Sequence, residues 1–235
     1  MKIGILQCGH AAPEVLAEHG DYTDMFQRLL AGHGFEFATW DVVDMDFPPG
    51  PHAADGWLLS GSRHGVYEDL PFIPPLEDFI REAHREKVPM VGICFGHQII
   101  ARALGGRVEK FDGGWAIGHH TYDFEGLGKV AVNAWHQDQV IEPPAGARTI
   151  ARSDFCRHAG LAVGDHIYTV QPHPEFSSPL IGEYLKLRRN EPGYPPEVMD
   201  AAATRLDAPI DSAKLGAEIA RFFLEHGKHE EAPNG

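Results

Sequence analysis

The sequence predicts an α/β fold, an open and mostly parallel sheet with helices on both faces and antiparallel strands along one edge. Three observations carry this. Short apolar runs alternate with helical spacing up to about Gln98. From Arg107 to Val170 there are several strand-like runs and no helix. After Glu175 helical spacing returns.

Lys2 to Gln7 is an apolar run that reads as a strand. Tyr22 to His33 follows as a helix, with Met25, Phe26, Leu29 and Leu30 on one face. Phe35 to Trp40 and Gly56 to Ser60 read as the next strands. Leu76, Phe79, Ile80 and Ala83 then recur at i, i+3, i+4 and i+7 on a helix opened by Pro74 and Pro75. Val88 to Cys94 is a further buried strand. The middle block offers strands at Arg107 to Phe111, Val130 to Ala134, Arg148 to Ala151 and His166 to Val170, expected antiparallel along one side of the same sheet. The last helices are predicted over Leu180 to Arg189, Glu197 to Leu206 and Ser212 to His226, and residues 229–235 as a frayed tail. The chain is read as one domain, residues 1–235, with a helical extension from about residue 190. The Pro- and Gly-rich joint at residues 190–196 is expected to pack over the site or to form an oligomer contact.

Composition narrows function. Of the 235 residues, 43% are hydrophobic and 23% charged, which excludes wholesale disorder. With 34 acidic against 20 basic residues the net charge is −14, so binding to nucleic acid or an anionic membrane through a basic face is not expected. No apolar stretch is long enough to span a bilayer and the N-terminus lacks a signal-peptide pattern, so a cytoplasmic location is expected. Three cysteines are too few for a disulfide framework. The close pairs Cys8/His10, Cys156/His158 and His119/His120 lack zinc-site spacing, so no metal is expected.

Chemistry concentrates in two segments. In Val91-Gly92-Ile93-Cys94-Phe95-Gly96-His97-Gln98 a buried strand ends on a Cys with glycines at −2 and +2 and runs straight into a helix. That is the pattern of a nucleophile elbow, in which small neighbours prevent clashes around a strained turn. The helix N-terminus favours negative charge at the sulfur. In Gln171-Pro172-His173-Pro174-Glu175 a His and a carboxylate sit two apart beyond a strand, where extended backbone points both the same way. A thiol nucleophile needs a base, and the base needs a group that fixes its tautomer. Cys94, His173 and Glu175 are the candidates for these three roles.

These two motifs, in this order and separation, resemble those of class I glutamine amidotransferases, whose nucleophile motif is G-x-C-x-G-x-Q and whose distal motif is H-P-E. The resemblance extends to Leu58-Leu59-Ser60-Gly61-Ser62 and Tyr67-Glu68-Asp69, and covers about residues 1–180. It is strongest to stand-alone proteins similar to the amidotransferase domain of GMP synthetase. It implies a flavodoxin-like arrangement, amides of Gly61 and Phe95 as an oxyanion hole, and Gln98 at the amino-acid end of the substrate. The family's substrate loop falls at Trp135, His136 and Gln137. There the family usually has Ser or Asn before the His and Gly or Ser after it, so the bulkier Trp135 and Gln137 leave a γ-glutamyl amide or peptide open as the substrate beside free glutamine.

The expected reaction is hydrolysis of the γ-glutamyl amide bond of glutamine or a glutamine-like γ-glutamyl compound through a thioester on Cys94, releasing ammonia or an amine, without a cofactor. Neither an S-G-G-x-D-S-like loop nor a G-x-x-x-x-G-K-[ST] segment is present, so ATP chemistry is not expected on this polypeptide. Two alternatives stay open. One is a glutaminase subunit that delivers ammonia to a separate synthase. The other is a catalytically inactive binding module, which would have no need of the Cys, His and Glu together.

Overall fold

The computed structural model describes residues 1–227. Eleven strands and seven α-helices are present among them. The parallel part contains β1 (Lys2–Leu6), β2 (Glu36–Trp40), β3 (Gly56–Leu59), β4 (Met90–Ile93) and β11 (Ile167–Val170). The antiparallel part contains β6 (Ala116–Phe124), β7 (Gly128–His136), β9 (Ala147–Arg152) and β10 (Gly160–Val163). Together they form one nine-stranded sheet in the order β2-β1-β3-β4-β11-β10-β9-β6-β7. Pairing is parallel from β2 through β11 and antiparallel beyond it. The helices are α1 (Pro13–His19), α2 (Tyr22–Leu29), α3 (Ile73–Arg85), α4 (Phe95–Ala103), α5 (Ser178–Arg188), α6 (Pro196–Ala203) and α7 (Ser212–His226).

Strand alternation divides the apolar side chains between two cores. Ile3, Ile5, Leu58, Val91 and Ile93 face α2, α5 and α7, meeting Phe26, Leu180, Ile219 and Phe223. Leu6, Trp57, Leu59 and Met90 face the other way, toward Leu76, Phe79 and Ile80 of α3 and Ile99 and Ile100 of α4. Each such side chain contributes about 1.5–3 kcal/mol when fully buried. Local signals set the helix starts. Asp21 and Asp24 form a reciprocal capping box on α2, and Ser177 Oγ accepts from the Leu180 N–H at the start of α5.

Three details differ from the sequence expectation. The helix predicted over 22–33 stops at Leu29, because Gly32 and Gly34 follow with φ of 85° and 77°. The strand from Arg107, β5 (Arg107–Lys110), does not join the main sheet but pairs with β8 (Asp138–Glu142) in a separate two-stranded sheet. Finally, α1, β6, β8 and β10 have no counterpart in the expected elements. The tail at residues 229–235 lies outside the described residues. No helix among the described residues is long and apolar enough to cross a membrane.

Candidate active site

The C-terminal ends of β3, β4 and β11 open into a cavity of about 670 Å³. Cys94 sits where β4 turns into α4, with φ 52° and ψ −102°, a left-handed conformation that costs a non-glycine residue free energy. Surrounding backbone holds it there. The Cys94 N–H donates to the Val170 carbonyl (2.9 Å), the Gly96 N–H to the Ser60 carbonyl (3.1 Å) and the Gln98 N–H to the Cys94 carbonyl (3.0 Å). Both flanking glycines are required by contact. A Cβ on Gly92 would lie 2.6 Å from Gly96 backbone atoms, and one on Gly96 would collide with the Leu59 carbonyl. The thiol makes no capping bond to its helix and lines the cavity.

The other two cysteines are different. Cys8 and Cys156 are buried, and burial pushes both thiols up to about 12, so they stay protonated and inert.

His173 and Glu175 follow the end of β11. The His173 N–H donates to the Asn133 carbonyl (2.8 Å) in a single bridge to β7. Its Nδ1 lies 2.6 Å from Glu175 Oε1, and both side chains are buried. The imidazole stacks on Phe176 at 4.0 Å between centroids and 8° between planes. Burial opposes protonation of His173, but the Glu175 carboxylate and the Cys94 sulfur, to which it also hydrogen-bonds, together raise its pKa above the ordinary histidine value. With Nδ1–H committed to Glu175, Nε2 remains to face the thiol. Gly61, buried just beyond β3, is needed beside this ring, since a Cβ there would approach His173 Cε1 to 2.7 Å. Phe95 is the first residue of α4, so its N–H is among those a helix start leaves without an intrahelical acceptor.

The remaining sequence candidates divide. Gln98 is 3% exposed and its amide nitrogen donates to Gln171 Oε1 (3.1 Å) and the Asp138 carbonyl (3.0 Å). Gln171 in turn places its own amide 3.5 Å from Cys94 Sγ. Gln98 thus anchors a residue that sequence reasoning assigned no role, although it opens the Q-P-H-P-E motif. Trp135, His136 and Gln137 lie at the end of β7 and line the cavity. Gln137 donates to the Phe111 carbonyl (3.1 Å). His136 Nδ1 lies 3.2 Å from the Asp138 carbonyl, while its buried Nε2 has no protein partner among the described residues. Burial, reinforced by His173 and His120, lowers His136 to about 3 and keeps it neutral. On the rim, the Tyr67 hydroxyl bonds the Asp138 carboxylate, and burial with this bond raises Tyr67 to about 12.

The pairs weighed as metal ligands have other partners. His10 bridges Asp21 and Asp44, His158 meets Thr149 Oγ1, and His119 contacts Arg205 and the Pro209 carbonyl. Sequence reasoning also missed Trp115, Phe176, Tyr184 and Tyr194, which line the cavity as well. Phe176 directly follows Glu175, whereas Trp115, Tyr184 and Tyr194 come from separate stretches of chain that no spacing announces.

A thiol, an imidazole and a carboxylate in this relation, at a strand-to-helix turn, are equipped for acyl transfer. The glutamine amidotransferase class-I family model matches residues 21–187. The chain belongs to this family. Gamma-glutamyl peptidase 3 of Arabidopsis thaliana is 27% identical over 223 residues, spanning 88% of this chain and 90% of that protein. A glutamine-hydrolyzing GMP synthase subunit of Halobacterium salinarum is 35% identical over 180 residues, spanning 72% of this chain and 91% of that protein. A solved glutamine amido transferase from Methylobacillus flagellatus shares the fold with a TM-score of 0.77 at 20% identity, covering 100% of this chain and 98% of its own.

Proposed function

We propose that this class I amidotransferase family member hydrolyses γ-glutamyl amide bonds, with Cys94 as nucleophile, His173 as general acid and base, and Glu175 as the group that orients the imidazole. The single observation that carries this reading is the 2.6 Å contact between His173 Nδ1 and Glu175 behind a cavity-lining thiol on a strained turn.

Cys94 Sγ attacks the γ-carbonyl carbon, and the developing oxyanion takes hydrogen bonds from the Gly61 and Phe95 N–H groups, each worth about 3 kcal/mol when preorganised. The C–N bond breaks as His173 Nε2 delivers its proton to the leaving amine. Water, deprotonated by the same nitrogen, then attacks the γ-glutamyl thioester and releases glutamate and the thiol. Gln171, held by Gln98, steadies the sulfur side. His136, Trp135 and Gln137 border the substrate.

A cavity of about 670 Å³ is larger than a free amino acid fills, which favours a γ-glutamyl peptide or amide over glutamine. A second reading, a glutaminase subunit supplying ammonia to a separate synthase, is favoured by the likeness to the GMP synthase subunit of Halobacterium salinarum. Glutamate release by the purified chain from γ-glutamyl peptides and from glutamine, with Cys94→Ala as blank, tests both. Turnover of peptides over glutamine is the expected outcome. Turnover of glutamine alone would favour the second reading, and an unchanged rate in Cys94→Ala would remove the nucleophile assignment.

A further inference from the structure

The wall of the cavity is built from rings in mutual contact. Beginning at the imidazole, Phe176 stacks on His173 at 4.0 Å and meets Tyr184 of α5 at 5.9 Å. Tyr184 meets Trp135 at 5.5 Å, Trp135 meets Tyr194 at 5.7 Å, and Tyr194 meets Trp115 at 4.6 Å. Trp115, Trp135 and Tyr194 are half-buried and line the cavity, so each keeps part of its surface open. Two of the four tryptophans of the chain are spent on this surface, where apolar exposure costs free energy unless something covers it.

The position of the wall relative to the chemistry identifies which part of a substrate it meets. The ring series starts with Phe176 stacked on His173, the group that hands a proton to the departing amine, and runs from there through Tyr184 and Trp135 to Tyr194 and Trp115. Rings arranged at 4–6 Å and at tilted angles accept a further aromatic ring in the same offset or edge-on manner.

We propose that the amine half of the substrate carries an aromatic ring, which docks on Trp115, Trp135 and Tyr194, so the preferred substrates are γ-glutamyl amides of aromatic amines or aromatic amino acids. This inference rests on the γ-glutamyl hydrolase reading. Tyr194 is the contact of the segment between α5 and α6 with both tryptophans, which makes it the residue through which selectivity is adjusted.

The test compares kcat/KM for γ-glutamyl-phenylalanine, γ-glutamyl-alanine and glutamine in the wild type, Tyr194→Ala and Tyr194→Phe. The expected phenylalanine-to-alanine ratio is about tenfold or more in the wild type, from one or two ring contacts. It should fall toward one in Tyr194→Ala and be retained in Tyr194→Phe, whose ring is intact. A wild type that hydrolyses both dipeptides with equal kcat/KM overturns the aromatic subsite while leaving γ-glutamyl hydrolysis standing. So does a Tyr194→Ala protein in which both rates drop by one factor, because that is the signature of a ring that only holds its loop. Absence of turnover on all three compounds removes the hydrolase reading, and the aromatic subsite with it.

Discussion

The two halves of the nine-stranded sheet meet the cavity in different ways. On the parallel side, position is set by backbone. Cys94 takes a positive φ, Gly92 and Gly96 leave no room for a methyl group, and Gly61 lies against the His173 ring. On the antiparallel side, the cavity is met by side chains, Trp135 and His136 from the end of β7, Gln137 from the bend after it and Trp115 from the segment before β6. Under the proposed function, the contrast separates what a reaction centre requires from what a binding wall requires. A nucleophile must be held within a fraction of an ångström, so its surroundings are close-packed main chain with few permitted residues. A wall needs surface of the right chemistry, and several residue types can provide it.

The largest effect expected from this difference is on stability. Gly96→Ala forces a methyl group into the Leu59 carbonyl, and Gly92→Ala forces one against the first turn of α4. Each should lower the unfolding free energy by about 3 kcal/mol, the upper range for overpacking, or prevent folding. Gln137→Ala, which removes one hydrogen bond to the Phe111 carbonyl, should cost about 1 kcal/mol. Urea midpoints of the three proteins decide the matter, and equal losses would dissolve the distinction between the halves.

Next in size is the catalytic effect of Glu175→Gln. The amide cannot stabilise the imidazolium as the carboxylate does, so kcat should drop by about 10²-fold or more with less change in KM. The same substitution has a pH signature. The native pKa of His173 is raised above its unfolded value, about 6.5. Its contribution to stability is therefore complete below pH 6.5 and disappears as pH rises through the native value. Glu175→Gln should flatten this alkaline decline, measured as urea midpoints from pH 6.5 to 9.5. A decline of unchanged steepness would show that Glu175 does not hold the proton on His173.

How much of this was legible in the sequence follows the same division. The elbow, the H-P-E segment and the strands leading into them are contiguous and bounded by glycine and proline, so they announce themselves. Helix α1 does not, because only Val15 of its seven residues is buried and no apolar face is written along it. In β6, Gly118 at φ 74° and two consecutive histidines interrupt the strand pattern, and β10 is four residues long. The separate pairing of β5 with β8 depends on a tertiary arrangement that local spacing does not encode. The aromatic wall is the extreme case. Trp115, Trp135, Tyr184 and Tyr194 lie far apart along the chain and become one surface only when α5 and the following loop fold back across β7.

The smallest effect compares one buried histidine from each half. His97, on α4 of the parallel side, is fully buried with Nδ1 2.7 Å from Thr169 Oγ1, and burial lowers it to about 3. His136, at the end of β7 on the antiparallel side, is lowered to about 3 by burial and by neighbouring histidines. Between the unfolded value of about 6.5 and the native one, the unfolded chain binds protons that the native protein excludes, so stability falls as pH falls. One such proton corresponds to about 1.4 kcal/mol per pH unit. His97→Asn and His136→Asn, whose amides can replace the Nδ1 contacts, should each flatten the decline of unfolding free energy from pH 6.5 to 5 by about that slope. Only His136 lines the cavity, so KM for a γ-glutamyl peptide should rise in His136→Asn and stay near the wild-type value in His97→Asn. Equal KM changes in the two variants would mean that the two histidines serve the site alike, and the separation between a packed reaction centre and an open binding wall would fail at its finest point.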